Sequence, residues 1–253
     1  MDNISLHHSH FHMSIICSLG IINQSAISHC LDYGFINEAK KLYQLKHRLI
    51  RLLQYKTLAF DFVTQLATGM ILLVGEGNLS FSLSLLDMEC MNPLYLTATT
   101  YEQEKDLSLE TIKNAQKLKR AGVLVQHNVD ATNLTDKFNK IKFDAIVFQF
   151  PNVASREAIE GHNPNFILVR DFLKSAANHL TSNGKVFMSA VDNPYYHGAF
   201  QFDKAAKFAG FPLPDCYPFD PTAFSGYNHM MTHQDENGIE NHDIFATWVF
   251  SKK

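Results

Sequence analysis

Residues 71–86 read ILLVGEGNLSFSLSLL, and this stretch decides the fold. The four apolar residues at 71–74 are typical of a strand buried on both faces, and an apolar segment of helix length begins at Leu79. Gly75 and Gly77 fall in the turn between them, where the lack of side chains lets backbone N–H groups approach a ligand closely. The stretch therefore predicts a strand, a ligand-binding turn and a helix in succession.

The charge inside this turn bears on the identity of the ligand. Ser80 stands where the dinucleotide fingerprint G-x-G-x-x-G has its third glycine, so the two remaining glycines are only a weak sign of a dinucleotide. Glu76 lies between the glycines, and its carboxylate would repel a pyrophosphate. The same carboxylate can pair with the ammonium or sulfonium group of S-adenosylmethionine (SAM). The turn therefore favours SAM over NAD.

From Met70 onward, short apolar runs alternate with amphipathic segments of helix length, which predicts an α/β fold with a parallel sheet. Glycines 122, 184 and 210 are predicted to cap helices that precede strands. We predict helices near 79–88, 105–121, 133–140, 165–180 and 199–209. We predict strands at 71–74, 94–99, 123–129, 144–149, 185–191, 213–219 and 244–250.

The last predicted strand breaks the alternation. A polar loop over 220–243, with no helix, precedes it, so it should pair antiparallel with the sixth strand. A Rossmann-like sheet of seven strands with the last one antiparallel is the arrangement of class I methyltransferases. We therefore predict a methyltransferase-like domain over 69–253.

Residues 1–68 differ from the rest because they show no strand alternation. Leucines at helical spacing predict a helical N-terminal extension over 1–68, whose longest element covers 38–60. Lysines and arginines lie among these leucines, so one face of this element is apolar and another is basic. We interpret the basic face as solvent-exposed, with contact to RNA as the alternative.

Composition limits the partners and the setting. The formal net charge is -3, without the basic balance that is the usual electrostatic footprint of nucleic-acid binding, and no DNA partner is expected. The four cysteines are far apart in the sequence, which argues against a disulfide framework and favours a cytoplasmic setting, nucleolar if the source is eukaryotic. No apolar run reaches the ~20 residues that a membrane helix needs. Residues 7–12 contain clustered histidines, but an exposed terminus is favoured over a metal site there.

Two further acids follow the next predicted strands. Glu102 lies beyond the second strand, where an acid that binds a ribose is expected, and Asp130 ends the third, where it can accept a hydrogen bond from an adenine amino group. A helix-capping or solvent-facing role is the alternative for each. Together with Glu76 they place three acids at three consecutive strand ends, the edge at which open α/β sheets bind ligands.

These residues resemble the rRNA (uridine-N3) methyltransferase-like family, which includes a fungal large-subunit rRNA enzyme. The similarity extends over about 70–250, and its motifs are ILLVGEGNLSFSLSLL, TATTYE, VDAT, FDAIVFQFPNV, FLKSAANHL with GKVFMS, and PFDPTAFSGYNHMMT. The resemblance implies SAM-dependent transfer of a methyl group to a base nitrogen, most specifically the N3 of a uridine in ribosomal RNA. The cofactor contacts that it implies, together with two further residues of the same turn, are Gly75, Glu76, Gly77, Asn78, Ser80, Glu102 and Asp130.

The chain departs from this family pattern on the substrate side. Where the family usually reads Asn-Phe-Pro-His, this chain has Gln-Phe-Pro-Asn at 149–152, and Met230 and Met231 replace two arginines. No Lys or Arg occurs from Phe211 to Trp248, and six acids do. This segment should therefore repel phosphates instead of collecting them.

Four residues are the candidates for the chemistry. Gln149 is predicted to read the edge of the base, Phe150 to provide an aromatic surface and Pro151 to fix the backbone direction between them. His229 is the candidate general base. The alternatives are core packing for Phe150 and hydrogen bonding within a loop for Gln149 and His229. Residues 192–196 form either the opposite wall of the pocket or a plain turn.

Three functions follow from these predictions. The leading one is SAM-dependent methylation of RNA, and the second keeps SAM but takes a small acceptor, because the segment after Phe211 is acidic. The third is a SAM-binding or interaction module without catalysis, because the motif at 149–152 is altered. An NAD-dependent oxidoreductase is disfavoured by Glu76 and by the reversed last strand. The sequence assigns no oligomeric state and no metal.

Overall fold

A computed structural model describes residues 33–35, 62–67, 69–153, 155, 157–231, 234–237 and 244–252. The chain divides into two compact units, residues 1–60 and 61–253. The predicted element over 38–60 and the histidines of 7–12 lie outside the described residues, as does nearly all of the extension predicted over 1–68. That extension and its boundary at residue 68 stay predictions.

The second unit is built on a mixed sheet of seven strands, in the order β3-β2-β1-β4-β5-β9-β6. Strands β1 to β5 run parallel to one another, and β9 runs antiparallel to both β5 and β6. The predicted fold class is confirmed. The strands are β1 Ile71–Val74, β2 Leu96–Thr99, β3 Leu124–Gln126, β4 Phe143–Gln149, β5 Leu180–Val191, β6 Asp215–Phe219, β7 Met230–Met231, β8 Gln234–Asn237 and β9 Phe245–Ser251, of which β7 and β8 pair only with each other.

Capping residues set both ends of the helix Leu109–Ala121. Ser108 accepts a hydrogen bond from the Thr111 N–H at 3.0 Å, and Gly122, with φ of 96°, ends the same helix in the left-handed region. None of the helices in the described part of the chain has the length and hydropathy needed to cross a bilayer. They are α1 Phe62–Leu66, α2 Ser80–Leu86, α3 Leu109–Ala121, α4 Thr135–Phe138, α5 Pro164–Ala177, α6 Pro194–Phe200 and α7 Phe202–Ala209.

Apolar side chains cover both faces of the sheet. Val186 and Met188 belong to a core cluster with residues of α5 and α7. Because side chains alternate along a strand, Phe187 points to the opposite face. There Phe62 of α1 meets the rings of Phe187 and Phe219 with 5.7 Å between centroids in each case. Each large side chain of this kind stabilises the fold by about 1.5–3 kcal/mol when fully buried.

Backbone conformations shorten several of the predicted elements. The helix predicted over 199–209 is interrupted, because Gln201 has φ of 46° and separates α6 from α7. The third strand ends at Gln126 and not at 129, because Asn128 has φ of 57° and leaves the extended region. The helix predicted to reach residue 180 ends at Ala177, and β5 begins at Leu180.

The prediction that Gly184 caps a helix was wrong. Gly184 lies within β5, and a Cβ atom there would be 2.8 Å from the carbonyl oxygen of Phe143. The register between β4 and β5 shifts between Phe143 and Ala145, so this glycine marks a close approach of two backbones at an irregularity of the sheet.

Substitution of Gly184 by alanine should therefore destabilise the fold by about 1–3 kcal/mol, because the added methyl group overlaps a backbone atom that cannot move freely. Gly198→Ala is the matched control, since Gly198 is in α6 and a Cβ atom there has no neighbour within 4 Å. Alanine should stabilise that helix by up to about 1 kcal/mol. Urea unfolding of both variants measures the two effects, and equal effects would contradict the close approach at Gly184.

Candidate active site

The carboxyl ends of β3, β2, β1 and β4 lie next to one another, because these strands are parallel neighbours. Asp130, Glu102, the turn at 75–78 and Gln149 follow or end these strands in that spatial order. The structure thus brings the predicted cofactor and acceptor residues of four strands to one edge of the sheet. This edge is where open α/β folds bind ligands.

Glu102 and Asp130 are both exposed at this edge. Asp130 Oδ1 accepts hydrogen bonds from the Thr132 N–H at 2.8 Å and the Thr132 hydroxyl at 2.7 Å, so this carboxylate caps a short 3-10 turn. The main-chain oxygen of Glu102 accepts a hydrogen bond from the Asn128 N–H at 2.9 Å, which joins the loops after β2 and β3. Their contacts to a cofactor stay predictions.

The turn after β1 approaches β4 closely. Gly75 has φ of 65°, and a Cβ atom there would be 2.6 Å from the ring of Phe148, so the position accepts only glycine. The Glu76 N–H donates to the Thr99 oxygen at 3.0 Å, which fastens the turn to the end of β2. Gly77 is exposed between two buried neighbours, and the turn therefore presents bare backbone at its tip.

Helix α3 holds the turn from one side. The Thr111 hydroxyl donates to the Gly77 oxygen at 3.1 Å, and Asn114 Nδ2 donates to the Asn78 oxygen at 2.8 Å. Leu79 ends the turn with φ of 62° and is fully buried. A left-handed residue other than glycine or asparagine costs about 1–3 kcal/mol, which the surrounding contacts must offset.

The carboxylate of Glu76, a residue of this turn, is buried. Its Oε2 atom accepts hydrogen bonds from the Ser82 hydroxyl at 2.7 Å and the Ser82 N–H at 3.4 Å. Its Oε1 atom is buried and has no hydrogen-bond partner within the described residues. Burial raises the pKa of Glu76 to about 7, because a charged carboxylate loses its hydration there.

A loop over 221–229 lies against the same turn. The ring of Phe224 is 4.9 Å from the ring of Phe81, and the ring of Tyr227 is 5.0 Å from it, as measured between centroids. The main chain of Asn228 makes hydrogen bonds to the side chains of Asn78 and Ser80, each at 3.0 Å. The 221–229 loop therefore packs on the first turn of α2.

The end of β4 and the 221–229 loop each carry an amide side chain with buried polar atoms that have no partner within the described residues. Gln149 is 7% exposed, and neither its Oε1 nor its Nε2 atom has a hydrogen-bond partner within the described residues. The same holds for Asn228 Oδ1. A buried polar group without a partner costs about 1–3 kcal/mol, so such groups in a folded protein are candidates for contact with a ligand.

Phe150 and His229 adjoin these amides. Their ring centroids are 4.7 Å apart, and Phe150 has φ of 49°, a strained conformation for an aromatic residue. Its N–H donates to the Ser189 oxygen at 2.8 Å, which fixes this backbone, and Pro151 follows it as a buried residue. The structure thus brings Phe150 and His229 into contact.

The histidine of this group is neutral near pH 7. Burial lowers the pKa of His229 to about 4, because the imidazolium would lose its hydration. The Tyr227 hydroxyl lies 3.3 Å from His229 Nδ1. Burial and the nearby charge of Glu76 raise the pKa of Tyr227 well above its ordinary value, so the phenol keeps its proton.

Residues 192–196, one candidate for the opposite wall, participate in local structure. Asp192 Oδ1 lies 2.6 Å from His197 Nε2, and Asn193 Oδ1 accepts from the Tyr196 N–H at 3.0 Å at the start of α6. No group of three or more potential metal ligands occurs among the residues that the structure describes.

Sequence reasoning missed three residues of this site. Leu79 takes the left-handed conformation one position before the serine that replaces the third fingerprint glycine. Tyr227 and Asn228 stand beside His229 in the motif GYNHMMT, which gave a signal for the segment but none for these two roles. Asn228 bonds to Ser80 and Asn78, which lie 148 and 150 residues earlier in the chain, and such long-range contacts leave no local sequence pattern.

The residues present fit SAM. The exposed backbone of Gly77 offers an N–H group at the tip of the turn, and the buried Glu76 Oε1, unpaired within the described residues, suits a cationic group. The strand order with β9 antiparallel between β5 and β6, and a glycine turn after β1, define a class I methyltransferase.

The chain belongs to the family described as "BMT5-like: rRNA (uridine-N3-)-methyltransferase BTM5-like", whose sequence model matches residues 72–231. Family and fold together support a SAM-dependent methyltransferase.

Individual relatives are similar over different shares of their length. "Uncharacterized protein At4g26485" of Arabidopsis thaliana is 32% identical over 206 residues, which are 74% of this chain and 94% of the relative. "Ferredoxin-fold anticodon-binding domain-containing protein 1" of Homo sapiens is 32% identical over 64% of this chain, which spans only 28% of the human protein.

Solved structures with a similar chain trace include two methyltransferases. The first, "Structure of an antibiotic related Methyltransferase", has a TM-score of 0.47 and 15% identity and covers 75% of this chain and 90% of its own. The 16S rRNA methyltransferase KamB has a TM-score of 0.46 and 14% identity and covers 77% of this chain and 94% of its own.

Replacement of Glu76 by glutamine should change how stability depends on pH. Because the folded pKa of about 7 exceeds the ordinary 4.5, the fold favours the protonated acid, and stability falls as pH rises from 4.5 to 7. The amide carries no charge at any pH. The gain in unfolding free energy over the native protein should therefore grow from near zero below pH 4.5 to about 2–3 kcal/mol at pH 8.

Urea unfolding across pH 4–8, without cofactor, measures this difference. The pH dependence caused by His229 is common to both proteins and cancels in the comparison. Glu89→Gln removes the same charge from an exposed position and serves as the control. A difference for Glu76→Gln that stays constant over the pH range would contradict the assigned burial of the carboxylate.

Proposed function

We propose that this chain methylates a ring nitrogen of an RNA base with SAM as the methyl donor, and that the acceptor is the N3 of a uridine in ribosomal RNA. The family supports this proposal, and one observation carries it. The Gln149 side chain is buried at the end of β4, next to Phe150, and neither of its polar atoms has a partner in the part of the chain that the structure describes. A cytoplasmic setting, nucleolar in a eukaryote, belongs to the same proposal.

A planar base with carbonyl groups suits the surroundings of Gln149, Phe150 and His229. The imide edge of uracil presents two carbonyl oxygens with an N–H between them, and a carboxamide supplies both a donor and an acceptor. Gln149 Nε2 can donate to a carbonyl of the base, where negative charge collects as the N3 proton leaves. The half-buried ring of Phe150 offers a surface for stacking.

SAM, when bound, would supply an electrophilic methyl group: the acceptor nitrogen would bond to its carbon in line as the carbon–sulfur bond breaks, and S-adenosylhomocysteine would leave. The chain must hold that nitrogen behind the methyl group and receive its proton. His229 is neutral and so has a free lone pair that can accept the proton at Nε2 while Tyr227 hydrogen-bonds Nδ1, but its lowered pKa makes it a weak base until the bound substrate changes its surroundings. Tyr227 would then orient this ring, as the orienting partner of a general base does.

A small acceptor is the second candidate, and the charge of one segment favours it. The segment from Phe211 to Trp248 has six acids and no Lys or Arg, so it offers no cations for the phosphates of an RNA. If the acceptor is RNA, this segment should contact the base and few phosphates. The salt dependence of RNA binding should then be shallow.

Transfer of tritiated methyl from SAM to total ribosomal RNA, to free nucleosides and to a metabolite extract tests these candidates. Labelled RNA that yields N3-methyluridine on digestion and mass spectrometry is the expected result. Label on small molecules with none on RNA would establish the second candidate. SAM binding without transfer to any acceptor would leave a binding module, and calorimetry without SAM binding would overturn both methyltransferase candidates.

Gln149→Leu should separate function from stability. Because leucine fills a similar volume without polar atoms, it should raise the unfolding free energy by about 1–3 kcal/mol, the cost of a buried unpaired group. Methyl transfer should fall by about 100-fold or more, as after loss of a donor to a developing oxyanion. Thermal unfolding and a single-turnover assay measure the two effects.

Asn114→Leu is the matched control for this substitution. Asn114 is also a buried amide, but its Nδ2 atom donates to the Asn78 oxygen at 2.8 Å, so leucine there should lower stability. A loss of stability in Gln149→Leu equal to that of the control would mean that the Gln149 amide has a structural partner, and would remove the basis for its role.

A further inference from the structure

We infer that Asn78 and Ser80 position the 221–229 loop on the turn after β1, and that their side chains serve the acceptor pocket instead of contacting the cofactor. This rests on the proposed function for what the pocket binds. Both residues come from the turn that the sequence assigns to the cofactor. The inference separates the roles of neighbouring residues in one motif.

The hydrogen bonds of these side chains all end within the protein. The Ser80 hydroxyl donates to the Asn228 oxygen and accepts from the Asn228 N–H, both at 3.0 Å. Asn78 Nδ2 donates to the same Asn228 oxygen at 3.0 Å, and Asn78 Oδ1 accepts from the Ser80 N–H at 3.1 Å. Both side chains are 4% exposed. The backbone of Gly77 is the part of the turn that faces solvent.

These bonds fix the backbone of a single loop residue. Asn228 is held at both its N–H and its oxygen, so the chain direction through 227–229 is set. On one side, Tyr227 packs on Phe81 of α2, and on the other, His229 packs against Phe150. The position of the pocket's histidine therefore depends on two polar side chains of the cofactor turn.

Strand β4, which contains Gln149, lies against the same turn. Gly75 lies against the ring of Phe148, and Gln149 is the next residue of β4. The loop that contains His229 is bonded to the turn, whereas Gln149 belongs to β4, so a shift of the turn relative to β4 would move His229 relative to Gln149. Methyl transfer is sensitive to such misplacement.

Ser80→Ala tests the inference, because it removes both hydrogen bonds of the hydroxyl. Hydrogen exchange of the peptide that contains 224–231 should become about 10-fold to 30-fold faster, as expected for the loss of two net hydrogen bonds. The dissociation constant for SAM, measured by calorimetry, should change less than about threefold. The rate of methyl transfer should fall by about tenfold or more at saturating SAM.

Asn228→Ala is the matched control, because the bonds to Asn78 and Ser80 use the main chain of residue 228. Exchange in 224–231 should stay within about twofold of the native protein. Asn78→Ala removes one bond of the set and should give an intermediate increase in exchange. It also keeps the inference testable if Ser80→Ala does not fold.

A tenfold or larger increase in the SAM dissociation constant of Ser80→Ala, with unchanged exchange in 224–231, would overturn the inference and make Ser80 a cofactor contact. The exchange and calorimetry need no acceptor. If the native protein methylates no RNA, the proposed function fails, but faster exchange with unchanged SAM affinity still supports the positioning role.

Discussion

The close approach of Gly75 to the ring of Phe148 is the contact on which the site depends. It brings the turn after β1 against β4. No side chain fits at residue 75, because a Cβ atom there would be 2.6 Å from the ring. Helix α3, the end of β2 and the 221–229 loop are then fastened to the same turn by hydrogen bonds. The turn after β1 thus contacts both β4, which contains Gln149, and the loop that contains His229.

The buried polar atoms of the fold are distributed unevenly. Buried side chains such as Ser189 and Thr247 bond to each other at 2.8 Å in the interior of the sheet. The buried side-chain atoms without a partner in the described residues belong to Glu76, Gln149 and Asn228, all at the carboxyl edge of β1 and β4 or in the loop that covers it. Unfavourable desolvation is therefore concentrated where a ligand with donors and acceptors can relieve it.

Periodicity predicted the sheet and most of its helices, because apolar alternation records which residues are buried. Periodicity could not predict the backbone irregularities. The sequence around Gln201 looks like that of an ordinary helix, and the glycine at the β5 irregularity looks like an ordinary helix cap. The gathering of the candidate residues at one edge was predictable, because parallel topology brings strand ends together. The hydrogen bonds that hold Asn228 were not predictable, because they use its main-chain N–H and oxygen, which every residue type except proline has.

The main-chain hydrogen bonds of residue 228 also determine which substitutions the 221–229 loop tolerates. Phe219 and Phe245 face each other at the ends of β6 and β9, so the chain between them leaves and re-enters the sheet at one point. Lengthening such a segment costs little, about 0.6 kcal/mol for each doubling. Any amino acid at position 228 except proline, which has no N–H, can make the main-chain hydrogen bonds that hold the loop. The segment can therefore change in length and in side chains while the turn after β1 keeps its contacts with β2, α3 and β4.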